Sequence, residues 1–79
     1  MTGEIRALSE LNPDIHAVVS RFNGGKEVIK RLLVLGLTIG AEVIVLQNYG
    51  NGPIIISVKD SRLALGRGEA KKVLVEVKG

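Results

Sequence analysis

The sequence predicts a small, mainly β domain that is organised around one short α-helix. Its 79 residues fit a single domain over residues 1–79. Segments rich in Val and Ile recur every roughly eight to twelve residues and are separated by Gly, Pro or Asn, as in small barrels. One segment instead has the three- and four-residue spacing of a helix. Five short strands cannot form two full sheets, which favours a partly open, SH3-like five-stranded barrel with the helix between its first two strands.

The strands are predicted from length and β-branched content. They span residues 15–22, 41–48, 53–58, 62–65 and 73–77, with a hairpin turn at Asp60-Ser61 and a helical turn over residues 69–72. In the first strand, Ala17 and Val19 share one face, and Phe22 lies on the other. The second and third strands are apolar on both faces. One face fills the barrel, and the other packs under the helix or forms a partner surface.

The helix is predicted over residues 26–35. Val28, Leu32 and Leu35 form one apolar stripe, as in a half-buried helix. Gly36 suits the position just after the helix, where the backbone turns left-handed. Leu37 then contacts Leu32, as in a Schellman motif. The pattern predicts that Gly36 and Leu37 fix the end of the helix.

Composition excludes several classes of protein. The absence of Cys excludes a disulfide framework, a thiol nucleophile and a thiolate zinc site. No run of about 18 apolar residues is present, so we expect a chain that is not embedded in a membrane. The start, Met1 to Glu4, lacks the basic and apolar segments of a secretory signal. We therefore expect a soluble, cytoplasmic protein.

Residues suited to catalysis or metal binding are sparse. His16 is the one histidine, and the 8 acidic residues are spread singly, without the spacing of a metal loop or an acid–base pair. We expect no enzymatic activity, no catalytic residue, no cofactor and no metal site. Weak Fe²⁺ or Zn²⁺ binding, with ligands shared between neighbouring copies, is an open alternative.

The formal net charge of +3 raises the question of nucleic acid. The basic residues considered are Lys26, Lys30, Arg31, Arg67, Lys71 and Lys72. Nucleic-acid-binding barrels usually add stacking aromatics, and only Phe22 and Tyr49 are available here. We do not expect a nucleic-acid partner, although a small basic barrel that binds nucleic acid is an alternative.

Several short motifs follow one another in a characteristic order. They are Leu8-Ser9-Glu10-Leu11-x-Pro13, Asn23-Gly24-Gly25, Arg31-Leu32-x-x-Leu35-Gly36-Leu37-Thr38-x-Gly40, Gly52-Pro53, and Arg62-Leu63-Ala64-Leu65 with Ala70 before the last strand. In this order, from Leu8 to Val77, the chain resembles the FeoA family of bacterial and archaeal ferrous-iron transport systems. It departs from the family at Asp14, where a glycine is common, and at Ile39, where a proline is common. Asp14 makes a positive-φ turn less expected there.

The resemblance implies an SH3-like barrel and a non-enzymatic accessory protein of a Feo-type ferrous iron uptake system. It implies a cytoplasmic location and a partner, the cytoplasmic GTPase region of the membrane transporter FeoB. A transition-metal-binding regulatory domain, related to the C-terminal domain of iron-dependent repressors, is an alternative. A homodimer through an exposed edge strand is also open.

Six residues are candidates for binding a partner protein. They lie on the helix and its exit and in the loop before the third strand: Arg31, Leu35, Leu37, Tyr49, Asn51 and Pro53. Arg31 and Tyr49 are the best anchors, because Arg and aromatic side chains carry most of the energy of small interfaces. The competing interpretation places Leu32, Leu35 and Leu37 in the core.

Overall fold

Six β-strands form one antiparallel sheet in the computed structural model, which describes residues 3–78. Met1, Thr2 and Gly79 lie outside the described residues. The segment from Met1 to Glu4, for which no secretory signal is predicted, therefore lies partly outside them. The strands are β1 Ile5–Ala7, β2 His16–Phe22, β3 Glu42–Gln47, β4 Ile54–Val58, β5 Ser61–Leu65 and β6 Val73–Val77. Helix α1 spans Lys26–Val34, α2 spans Arg67–Ala70, and a 3₁₀ turn spans Leu8–Glu10. The strand order is β1-β6-β2-β3-β4-β5.

The mainly β prediction is confirmed, but the sheet has six strands rather than five. The additional strand is β1, which pairs with β6 so that Arg6 lies opposite Val75. The amide of Val77 also donates to the carbonyl of Glu4 at 2.9 Å. Three residues are too few to show a strand pattern in the sequence. Strand β1 is stabilised by its pairing with the edge of β6. A sequence pattern cannot reveal such a strand.

The core lies on one face of the sheet, and α1 contributes Leu32 to it. One apolar face of these two strands fills the core, as predicted, since Val43, Val45, Ile54, Ile56 and Val58 are buried. Ile44, on the other face of β3, is half-buried and lines a shallow depression together with Ser57. No helix residue lines this depression. The fully buried large side chains are Leu8, Val19, Leu32, Leu37, Val43, Val45, Ile54, Ile56, Leu65, Val73 and Val75.

Two β-bulges change which side chains face the core. In β2 the register shifts between Val19 and Arg21, so that Phe22 comes opposite the buried Val73. Phe22 therefore packs against the core on the same face as Val19, and its predicted place on the opposite face was wrong. In β3 the register shifts between Val45 and Gln47, which brings Gln47 opposite Ile55 on the outer face of β4.

The end of α1 is a Schellman motif, as predicted. The amide of Leu37 donates to the carbonyl of Leu32 at 3.1 Å, and the amide of Gly36 donates to that of Leu33 at 3.0 Å. Gly36 has a φ of +96°, in the left-handed region. Leu32 and Leu37 are both fully buried. The turn therefore places one leucine on each side of Gly36 in the core.

Two turns differ from the prediction. Asp14 has a φ of 71°, so the left-handed turn that seemed less expected there is present. Asp tolerates this conformation better than most residues, and the Asp14 amide donates to the carbonyl of Val45 at 2.7 Å. The β4–β5 hairpin turns at Lys59 and Asp60, one residue earlier than predicted, with Lys59 at a φ of 53°.

Replacing Gly36 with Ala should lower the free energy of unfolding by about 1 kcal/mol, because a Cβ disfavours the left-handed conformation. Gly68→Ala is the matched control. Gly68 lies within α2 with open space around it, so a methyl group there should raise the free energy of unfolding by about 0.4–1 kcal/mol. Denaturant titration measures both values. Equal effects of the two substitutions would contradict this account of the helix end.

Candidate protein-interaction site

Arg31 joins the two helices through an ion pair. Its Nη1 donates to Oε2 of Glu69 at 2.8 Å, which links α1 to α2. This hydrogen bond and the charge of Glu69 raise the pKa of Arg31 above its ordinary value. The Arg31 side chain is 68% exposed, so the pair contributes little to stability. Its effect is to hold the guanidinium at a defined place on the surface.

Arg67, also on α2, donates to three groups from distant parts of the chain. Its Nη2 donates to the carbonyl of Ser9 at 3.1 Å and to Oδ1 of Asn48 at 2.9 Å. Its Nη1 donates to the carbonyl of Gly52 at 3.1 Å. A planar guanidinium can bind three separate acceptors because its N–H donors point in fixed, diverging directions. Arg67 therefore ties α2 to the N-terminal turn and to the β3–β4 loop.

Asn48 completes these contacts. Its Nδ2 donates to the carbonyls of Ser9 at 3.1 Å and Leu11 at 2.8 Å, and its Oδ1 accepts from the amide of Gly50 at 3.1 Å. Asn48 follows the bulge at Leu46, which shifts the strand by one residue and lets Asn48 reach the N-terminal turn. We call the side chains of Arg67 and Asn48, with the backbone groups they bind, the Arg67–Asn48 network.

The network holds the β3–β4 loop at both ends, at Asn48 and at Gly52. Between them Tyr49 is 78% exposed. Gly50 and Gly52 have φ values of 87° and 72°, conformations in which other residues are strained. The loop thus presents an aromatic side chain to solvent on a fixed backbone. A fixed backbone lowers the entropy lost on binding a partner.

The structure separates the six predicted contact residues into two groups. Arg31, Leu35, Tyr49, Asn51 and Pro53 are exposed, although Leu35 only at 37%. Leu37 is fully buried. Its prediction as a contact residue was therefore wrong, because the Schellman motif turns its side chain into the core.

Helix α2 lies between Arg31 on α1 and the exposed candidates of the β3–β4 loop. Glu69 binds Arg31 on one side, and Arg67 binds the carbonyl of Gly52 in the loop on the other. Four residues of helix thus connect the Arg31 guanidinium with the Tyr49 loop. We define the α2-bridged surface as Arg31, Leu35, Tyr49, Asn51 and Pro53.

Sequence reasoning missed the structural roles of Asn48 and Arg67. The glycines that flank Arg67 indicate a break in the chain, but they do not indicate where its guanidinium points. Its partners Ser9 and Gly52 are far away in sequence, so they come together only in the folded chain. A local pattern does not report such contacts.

Within residues 3–78, the surroundings of His16 do not form a metal-binding cluster. His16 is exposed on β2, and Glu42 lies on the neighbouring strand β3, opposite Val18. Glu42 already accepts a hydrogen bond from Nζ of Lys78 at 2.8 Å, which lowers the pKa of Glu42, and His16 lowers it less. Over residues 3–78, no group of three or more His, Asp or Glu side chains is placed to hold an ion.

A shallow surface depression lies over β3 and β4. Its lining residues are Ala41, Glu42, Ile44, Ser57 and Lys59, which include neither His nor Cys. Ser57 consequently has no adjacent imidazole to serve as a base. In the part of the chain that the structure describes, no helix has the length and apolar character needed to cross a bilayer.

Replacing Arg67 with Lys should lower the free energy of unfolding by about 1–3 kcal/mol, because one ammonium cannot replace the divergent donors of the guanidinium. Amide hydrogen exchange should accelerate in residues 49–52 more than in β6. Arg62→Lys is the matched control, since Arg62 is exposed on β5 and lies outside the network. Unchanged exchange in residues 49–52 of Arg67→Lys would show that the network does not hold the loop.

Comparison with known proteins places the chain in one family. The FeoA domain model matches residues 6–77. A curated relative from Methanocaldococcus jannaschii, named as Fe(2+) transport protein A, is 42% identical over 59 residues, which cover 75% of this chain and 71% of the relative.

Solved structures agree with the sequence match. A crystal structure of the iron uptake regulatory protein FeoA superposes with a TM-score of 0.91 at 39% identity, covering 95% of this chain and all of the other. Zinc-complexed FeoA from Stenotrophomonas maltophilia, described as a prokaryotic SH3 domain protein, gives 0.76 at 33% identity, covering 96% and 89%. The predicted SH3-like fold is thereby confirmed.

A manganese-dependent transcriptional repressor shares the fold alone. It superposes with a TM-score of 0.86 at 18% identity, over 99% of this chain and 44% of the repressor. The family itself is shown by the domain model, which spans nearly all of the described residues, and by the archaeal relative. The chain belongs to the FeoA family.

Proposed function

We propose that this protein is a non-enzymatic accessory protein of a Feo-type ferrous iron uptake system. It acts by binding the cytoplasmic GTPase region of the transporter FeoB, and it therefore resides in the cytoplasm. Membership of the FeoA family supports the transport system. The observation that carries the binding role is the Arg67–Asn48 network, which holds Tyr49 exposed on a fixed loop. Such a rigid aromatic side chain suits recognition of a protein.

The proposed contact is the α2-bridged surface, without Leu37. Arg31 and Tyr49 are its anchors because Arg and Tyr dominate the energy of small interfaces. Pairing with Glu69 limits the motion of the Arg31 guanidinium before a partner arrives. The loop residues Asn51 and Pro53 then lie at the edge of the contact, where side chains exclude water more than they add energy.

Tyr49→Ala should weaken binding to the FeoB GTPase region by about tenfold or more, because it removes an anchoring aromatic ring. Arg31→Glu should do the same, through repulsion within the α1–α2 pair and loss of the cation. Isothermal titration calorimetry with the GTP-bound and GDP-bound region measures these affinities. Arg21→Glu is the control for net charge, since Arg21 is exposed on β2 and does not belong to the α2-bridged surface.

Two results would separate the parts of this proposal. No binding by the wild-type chain in either nucleotide state would overturn the accessory role. Binding that Tyr49→Ala and Arg31→Glu leave unchanged would overturn the surface and leave the role in place.

We further infer that a single copy of this chain binds Fe²⁺ or Zn²⁺ weakly, if at all. One histidine beside a carboxylate already paired with Lys78 is a poor ligand set. Calorimetric titration with each metal should show no saturation at micromolar concentration, and His16→Ala should behave like wild type. Tight binding that His16→Ala abolishes would contradict this inference and would favour the metal-regulated alternative.

The nucleic-acid alternative is less favoured because two of the six candidate basic residues already form hydrogen bonds within the chain. Arg31 binds Glu69, and Arg67 binds the carbonyls of Ser9 and Gly52. Binding to DNA or RNA at physiological salt, with an affinity that falls steeply as salt rises, would restore this alternative.

A further inference from the structure

The loop between β3 and β4 contains an Asn-Gly pair in which both groups that could react with each other are free. Asn51 is exposed, and within residues 3–78 no hydrogen bond engages its side chain or the amide of Gly52. A Cβ built at Gly52 would meet no atom within 4 Å. Because glycine has no Cβ to obstruct a close approach, its backbone nitrogen can reach the carbonyl carbon of the preceding side chain. The loop therefore leaves Asn51 open to attack by the nitrogen of Gly52.

Two of the other three asparagines cannot react in this way. Asn12 precedes Pro13, whose backbone nitrogen carries no hydrogen and cannot ionise. Asn48 already uses Nδ2 as a donor and Oδ1 as an acceptor within the Arg67–Asn48 network. Its side chain is therefore held away from the amide that follows it.

Asn23-Gly24 is a second Asn-Gly pair, and it is packed where the first is open. The amide of Asn23 donates to the carbonyl of Lys72 at 2.7 Å. A Cβ built at Gly24 would lie 3.3 Å from Cδ of Lys72 and 3.4 Å from Cγ1 of Val28, whereas one at Gly52 would meet nothing. The same dipeptide thus occurs twice in one chain, in two different environments.

A cation lies beside the open pair. Nη1 of Arg67 donates to the carbonyl of Gly52 at 3.1 Å. The attack begins when the Gly52 amide loses its proton, and a positive charge this close favours the ionised amide. The same guanidinium would stabilise a carboxylate formed at position 51. Arg67 therefore favours both the start of the reaction and its product.

We propose that Asn51 is a site of spontaneous deamidation. The ionised nitrogen of Gly52 forms a bond to Cγ of Asn51. The bond from Cγ to Nδ2 then breaks, and the side-chain nitrogen takes up a proton and leaves as ammonia. Water opens the resulting succinimide ring at either of its carbonyls, which gives an aspartyl or an isoaspartyl link. Asparagine and water are thereby converted into a carboxylate and ammonium, without an oxidant or an enzyme.

The product would change the α2-bridged surface, to which Asn51 belongs. The formal net charge would fall by one unit from +3, with the new carboxylate beside Arg67. An isoaspartyl link would also add one carbon atom to the backbone between Asn48 and Gly52, the two points at which the network holds the loop. The reaction needs no partner protein, so this inference is independent of the proposed function.

Incubation of the full-length chain at mildly alkaline pH, followed by trypsin digestion and mass spectrometry, measures both Asn-Gly pairs at once. Cleavage after Lys and Arg places Asn23 in residues 22–26 and Asn51 in residues 32–59. Asn51 should convert about threefold faster than Asn23 or more, because the nearby cation favours the ionised amide. Fragmentation should assign the mass gain to Asn51 and not to Asn48. Asn51→Gln should abolish this gain, because its longer side chain would have to close a larger ring.

Denaturant supplies the matched control, because it removes the tertiary contacts and should bring the two rates together. If both asparagines react in denaturant, but Asn51 in the native chain stays intact or reacts no faster than Asn23, the proposal is wrong. Added salt should slow Asn51 toward the rate of Asn23, since salt screens the charge of Arg67. A ratio of rates that does not change with salt would contradict the role given to Arg67.

Discussion

The left-handed turn at Gly36 decides which apolar side chains near the end of α1 are buried and which are exposed. It closes the helix through the bond from the Leu37 amide to the Leu32 carbonyl, so both leucines enter the core. The same turn leaves Leu33, Val34 and Leu35 at the surface. Core packing and the proposed contact surface therefore depend on one backbone conformation. A change that relaxed this turn would alter both together.

The second constraint on the surface is the Arg67–Asn48 network. It lies on the side of α2 that faces the β3–β4 loop, whereas Glu69 of α2 pairs with Arg31 of α1. It supplies polar partners to backbone carbonyls of the N-terminal turn and of the β3–β4 loop. Such groups would otherwise depend on water for their hydrogen bonds. The consequence is a loop that is irregular in conformation but fixed in position. The Tyr49 loop is thus held in place before a partner binds, which favours affinity in a small interface.

Much of the fold could be predicted because its signals are local. The helix, its Schellman end and the bounds of β6 depend on residues close together in the sequence. The missed features depend on distant partners. Strand β1 needs the edge of β6, Phe22 changes face because of a bulge, and Arg67 finds its acceptors only in the folded chain.

The candidate site was predicted only in part, for a related physical reason. Leu37 belongs to a motif that the chain shares with the FeoA family. At Leu37 this motif determines how the helix ends rather than what the protein binds. Its burial shows that a residue of a recognisable pattern can belong to the core.

The central claim is that this chain binds the FeoB GTPase region through the α2-bridged surface. Amide chemical-shift mapping of the ¹⁵N-labelled chain, titrated with the unlabelled FeoB GTPase region, tests it most directly. The account predicts that the largest changes fall in residues 30–39 and 48–53, on both sides of α2. Changes confined to the outer face of β3 and β4, or to the edge of β5, would contradict it.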